Sequence, residues 1–135
     1  MFFEFGICDK AGSITATTNV PWRVGNRYGW GASIFSHNPS VTLKEVLILP
    51  APATWIEKGT TKRPVQILDQ QESLADARML SREVKLDVTK PLRYGRTYTI
   101  LESDPEGEHI LRLYINQELA REIRFRVQKP RPSVR

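Results

Sequence analysis

Val41-Thr42-Leu43-Lys44-Glu45-Val46-Leu47-Ile48-Leu49 reads as a β-strand from its spacing alone. Apolar residues first alternate with polar ones, the period of a strand with one buried face. They then become continuous, as in a strand covered on both faces at one end. The same period of two recurs downstream. Val84, Leu86 and Val88 alternate with Glu83, Lys85 and Asp87. Leu111, Leu113 and Ile115 alternate with Arg112 and Tyr114, and Ile123, Phe125 and Val127 with Glu122, Arg124 and Arg126. The last two runs are joined by Asn116-Gln117-Glu118, a hairpin connection in which Gln stands where Gly is usual. One slip of register would turn the apolar set outward and bury three guanidinium groups, so the alternation fixes the hairpin's inner face.

Working outward, Phe3 to Cys8, Ile14 to Thr18, Arg27 to Phe35 and Thr97 to Leu101 fill further strand slots. Turn-forming groups separate them: Asp9 to Gly12, His37 to Ser40, Lys90-Pro91, Tyr94-Gly95 and Asp104 to Gly107. Some 7–9 short strands at this spacing predict an all-β, antiparallel sandwich with Greek-key connections. One segment differs. Asp69-Gln70-Gln71-Glu72 has capping-box spacing and precedes a run of helix formers, which predicts one short helix near 70–78. Between Pro50 and Pro64, the run Ala51 to Gly59 reads as a long loop.

The chain of 135 residues, 40% hydrophobic and 26% charged, is large enough for one domain with a real core and too ordered in composition for global disorder. The expected organisation is a sandwich over 1–128 followed by a basic, Pro-rich, disordered tail over 129–135. That tail carries three of the five excess positive charges, leaving 17 basic and 15 acidic groups in the body. A nearly balanced body argues against nucleic acid as a partner. No apolar run approaches the roughly 20 residues that span a bilayer, so no membrane segment is expected. The N-terminus has no basic region and is interrupted by Glu4, so the chain as written reads as cytoplasmic. A leader removed upstream would make it periplasmic or secreted.

Catalytic and cofactor signatures are sparse. A single cysteine, Cys8, excludes an internal disulfide and a multi-cysteine zinc site, and in an apolar strand it reads as a small buried hydrophobe. Neither His37 nor His109 has a Ser or Cys partner nearby in sequence, and no nucleophile elbow is present. Gly25, Gly29 and Gly31 match neither a P-loop nor a dinucleotide fingerprint, so no cofactor is expected. Glu102, Asp104, Glu106, Glu108 and His109 lack EF-hand spacing, and Asp104 to Gly107 reads as a turn with Pro105 at its second position.

The densest cluster of contact-forming residues is Trp22-Arg23-Val24-Gly25-Asn26-Arg27-Tyr28-Gly29-Trp30. Trp22, Arg23, Arg27, Tyr28 and Trp30, with the more distant Trp55, are the candidate binding residues, suited to stacking on sugars or on a partner surface. The competing reading puts Tyr28 and Trp30, two apart on one strand face, into the core, with the glycines serving a tight turn and close sheet-to-sheet approach.

Phe5-Gly6-Ile7, Thr17-Thr18-Asn19-Val20-Pro21 and Gly25 to Trp30, followed by Leu47 to Pro52, Trp55, Ser103 to Gly107, Ile110 to Ile115 and Phe125 to Val127, carry a resemblance. Together they resemble a bacterial family of small single-domain proteins known as a domain of unknown function. The resemblance leaves 57–95 poorly matched. It implies an immunoglobulin-like sandwich, transfers no catalytic residue, and implies export for some members. The resulting expectation is a non-enzymatic module that engages a protein partner, or itself as a homodimer, through a sheet face or edge strand. The alternative is a small-ligand or carbohydrate module using the exposed Trp and Arg residues.

Overall fold

Thr17 and Thr18 mark the place where the chain leaves one sheet for the other. The Thr17 amide still donates to Phe5, in the first sheet, at 3.4 Å, while the Thr18 carbonyl accepts from Arg126, in the second, at 2.8 Å. The structure, a computed structural model, describes residues 2–51, 59–61, 67–76 and 78–130, with the backbone alone over 59–61 and 67–76. Trp55 and residues 131–135 lie outside the described residues, and with them the expectation of a disordered tail.

The described strands are β1 (Phe2–Cys8), β2 (Ile14–Ala16), β3 (Asn19–Pro21), β4 (Arg27–Ile34), β5 (Ser40–Ile48), β6 (Gly59–Thr61), β7 (Ile67–Asp76), β8 (Met79–Asp87), β9 (Leu92–Thr99), β10 (Gly107–Ile115) and β11 (Glu118–Gln128). They form a five-stranded sheet, β2-β1-β4-β9-β6, and a six-stranded sheet, β3-β11-β10-β5-β8-β7. The all-β sandwich is as expected. Three strands of three residues raise the total above the expected 7–9. Pairing is antiparallel except for β3, which lies parallel to β11. That exception follows from the crossing at Thr17-Thr18, which hands the chain to a sheet edge running the same way.

The period-two runs bury the faces that their alternation predicts. Leu111, Leu113, Phe125 and Val127 are core residues, with Ile115 and Ile123 half-buried against them. Arg124 and Arg126 are exposed, and the half-buried Arg112 stays at the surface paired with Glu122 at 2.8 Å. Asn116 and Gln117 both have positive φ, 49° and 71°, and make a two-residue turn of the mirror-image kind that matches strand twist.

Three readings need correction. The helix expected near 70–78 is not formed: residues 70–76 belong to β7, which pairs with β8. Local capping and propensity are weak terms, and the backbone bonds offered by a neighbouring strand override them. Tyr94-Gly95 is not a turn but the middle of β9, where Gly95 faces Gly31 of β4. A side chain at Gly95 would put its Cβ 2.2 Å from the Trp30 carbonyl oxygen, so the residue permits close strand approach. The turn before β10 sits earlier than Asp104 to Gly107. The Asp104 amide donates to Leu101 at 3.0 Å, and the Asp104 carboxylate caps the Leu101 amide at 2.8 Å.

Candidate functional site

The aromatic and basic stretch is pinned by its own fold. Gly25, at φ 95°, donates to Ile100 at 2.9 Å, and Asn26 closes the turn onto Arg23 at 3.0 Å. Trp22 is half-buried, its indole N–H donating to the Asp104 carbonyl at 2.8 Å. The Lys129 ammonium stands 4.8 Å above its ring. Arg27 donates to the Asp9 carbonyl at 3.1 Å, and Arg23 is exposed. Tyr28 and Trp30 are 3% and 2% exposed, so neither offers a ring to an external ligand. The structure therefore corrects the surface reading for these two residues and divides the six candidates. Arg23 faces solvent, Trp22 and Arg27 are half-buried and tied to backbone, Tyr28 and Trp30 are core, and Trp55 is outside the described residues. Gly29 serves strand-to-strand contact within one sheet, not sheet-to-sheet approach, since a Cβ there would lie 2.2 Å from the Arg96 carbonyl oxygen of β9, while a Cβ at Gly31 would meet the Arg93 side chain.

Inside the sandwich stands a polar cluster that pattern reading did not identify. Glu45 of β5 is 2% exposed, Arg82 of β8 4% and Arg96 of β9 6%. Register sets Glu45 opposite Arg82 in one sheet and Trp30 opposite Arg96 in the other. The Trp30 indole N–H donates to one carboxylate oxygen of Glu45. Arg96 Nη1 donates to the other at 3.3 Å. The two guanidinium groups lie against aromatic faces, Arg96 5.0 Å from the Tyr98 ring centre and Arg82 5.8 Å from that of Tyr94. Tyr28 and Tyr98 stack at 5.4 Å.

At the centre of the cluster the Glu45 carboxylate is engaged at both oxygens. Both Glu45 oxygens accept charged or strongly polar donors, the condition under which a buried carboxylate is tolerable. Burial raises the Tyr28 and Tyr98 phenols above their ordinary value, and the Glu45 carboxylate pushes each further the same way against the opposing pull of Arg96. Phenols held protonated in this way are poor nucleophiles and poor bases at neutral pH. Among the described residues no group of three or more His, Cys, Asp or Glu is placed to hold a metal ion. Of the acidic run expected to form a turn, Glu106 pairs with Lys129 and Glu108 with Arg124, while His109 is buried against Phe125. The signal for the cluster was present as parity. Glu45 shares the odd positions of Val41, Leu43 and Leu47, and Arg82 the even positions of Leu80, Val84 and Leu86, so each charge stands in an apolar row.

Sheet edges are the remaining feature. Among the described residues, the edge strands β2, β3 and β6 are three residues long, whereas the edge strand β7 is ten.

The model of the PM0630 beta sandwich domain matches residues 3–128, which is most of the chain. The chain belongs to this family. No curated protein matches it. Among solved structures it is similar to an immunoglobulin-like protein from Pseudomonas aeruginosa, at 18% identity and a TM-score of 0.60, over 95% of this chain and 93% of that one. The likeness establishes an immunoglobulin-like fold for this PM0630 beta sandwich domain.

Proposed function

We propose that this domain is a non-catalytic binding module that takes an extended segment of a protein partner onto the outer edge of β7. The observation that carries the reading is the contrast among edges. A ten-residue edge strand presents a row of backbone donors and acceptors, whereas three-residue edges present almost none. The burial of Tyr28 and Trp30 weighs against an aromatic ligand platform and favours recognition by backbone. Hydrogen–deuterium exchange of the full chain tests it, with an alternating Lys/Thr peptide of the length of β7 as probe. Slowed exchange confined to Ile67–Asp76 is the expected result. Unchanged exchange over those residues at saturating peptide would remove the reading.

A further inference from the structure

The composition of β7 narrows its partner. Asp69, Glu72 and Asp76 give the strand three acids, and Ile67–Asp76 holds no Lys or Arg, in a chain whose overall charge is +5. Pairing β7 with β7 of a second copy would bring six acids together with no compensating base, which disfavours the symmetric edge-to-edge dimer. A basic extended segment is the complementary ligand, and this chain contains one. Lys129-Pro130-Arg131-Pro132-Ser133-Val134-Arg135 carries three bases and no acid.

Its prolines fall on alternate positions. In a β-ladder every second residue turns its N–H toward a given neighbour. Arg131, Ser133 and Arg135 share one parity and keep their N–H groups; Pro130 and Pro132 share the other. With the first set facing β7, the prolines face away, where a new edge strand tolerates them and where they block further strand addition.

The same chain cannot supply the segment to its own edge. β11 leads into Lys129, and β11 and β7 are separated by β10, β5 and β8. A strand outside β7 therefore lies about five strand spacings away, on the order of 24 Å at about 4.8 Å each. Lys129 is fixed at the start, its amide donating to Glu106 at 3.1 Å and its ammonium 3.8 Å from the same carboxylate. Six further residues reach roughly 21 Å when fully extended, leaving none to pair.

Resting on the reading of β7 as a binding edge, we infer that the segment Lys129–Arg135 of one copy adds as a strand to β7 of a second copy. Each molecule then carries one donor segment and one acceptor edge, a heterologous contact that closes by reciprocal exchange or propagates as a chain.

Sedimentation velocity on the full chain tests this. The expected result is a mass that rises with concentration at low salt and falls back at high salt. The double variants Arg131→Glu/Arg135→Glu and Asp69→Lys/Asp76→Lys should each weaken association on the order of tenfold or more. Glu72 is left unchanged because it stands opposite the buried Arg82. The two variants mixed in equal amounts should associate again, because each then meets its opposite charge. The segment variant follows β11 in sequence and changes no described strand, so it reads the contact even where the edge variant fails to fold. A wild type that stays monomeric at every concentration, or variants that associate like wild type, would overturn the inference. If the wild type is monomeric while the Lys/Thr peptide still protects β7, the segment is wrong and the edge stands. If neither binds, both fall.

Discussion

Trp30 and Glu45 join the two sheets through the middle of the core: an indole N–H on β4 donates to a carboxylate on β5, with Arg96 holding the carboxylate from the other side. Removing one member of such a group strands the others. Glu45→Leu leaves the Arg96 guanidinium buried without its carboxylate and should cost about 3–5 kcal/mol. Arg96→Met should cost a similar amount. The double variant replaces both charges by apolar groups and should be less destabilised than the sum of the two by about 2 kcal/mol or more. Urea midpoints of the three variants form the cycle; additive losses would show that the ion pair does not couple the sheets.

Gly29 and Gly31 occupy the same face of β4 yet should respond differently to a methyl group. A Cβ at Gly29 would lie 2.2 Å from the Arg96 carbonyl oxygen and 2.9 Å from Thr97 Cα, both backbone atoms that can move only with β9. At Gly31 it would meet the end of the Arg93 side chain, 2.8 Å from Nη2, which crosses there to reach Glu4. Gly29→Ala should therefore cost about 3 kcal/mol or more, as over-packing against rigid neighbours does. Gly31→Ala should cost about 1 kcal/mol or less, since it displaces only an exposed ion pair. Thermal melts rank the two, and equal losses would contradict the register of β4 with β9.

Phe125 packs against Phe5 at 4.6 Å, Tyr28 at 5.2 Å and His109 at 5.2 Å between ring centres. Phe125→Ala should cost about 3–5 kcal/mol through the cavity it opens. Arg124, 54% exposed, pairs with Glu108 at 3.1 Å and Glu122 at 3.6 Å, and its replacement by Ala should stay within about 0.5 kcal/mol. Urea midpoints that matched for these two variants would mean that the hairpin is inside out.

Stability should fall on the alkaline side. Tyr28 and Tyr98 have folded-state values above the ordinary 10.0, raised by burial first and by Glu45 second. Their contribution is complete below about pH 10, where both folded and unfolded phenols are protonated. Above it the unfolded chain releases protons that the folded chain retains, so the unfolding free energy drops by up to about 2.7 kcal/mol per pH unit for two phenols. Urea melts at pH 8–11.5, with tyrosinate absorbance followed in parallel, should show these two phenols ionising together with unfolding. Ionisation near pH 10 without loss of structure would place them at the surface.

Most of the strands were legible because burial on one face writes itself as a period of two, as in Leu111 to Ile115 and Ile123 to Val127. β7 was not legible, because its pattern is polar and its state is decided by β8, a neighbour that local sequence does not report. Tyr94-Gly95 misled for a related reason: glycine serves both turns and close strand approach, and only the pairing with β4 distinguishes them. The candidate site divided in the same way. Trp30 and Tyr28 look like ligand contacts in a linear list, while parity already places them on one inward row. Glu45 and Arg82 carried the better clue, each a charge within an apolar row, but their partners come together only when two sheets face each other.

Recognition at the β7 edge, as proposed, and recognition at the aromatic stretch predict different amide signals. The most direct measurement is a nitrogen–proton correlation spectrum of the labelled full chain, titrated with the alternating Lys/Thr peptide of the length of β7. The largest shifts are expected in the amides of Ile67–Asp76 and their β8 partners, with the Trp22 and Trp30 indole signals unmoved. Shifts centred on Trp22, Arg23 and Arg27, or a spectrum unchanged at saturating peptide, would contradict recognition at the β7 edge.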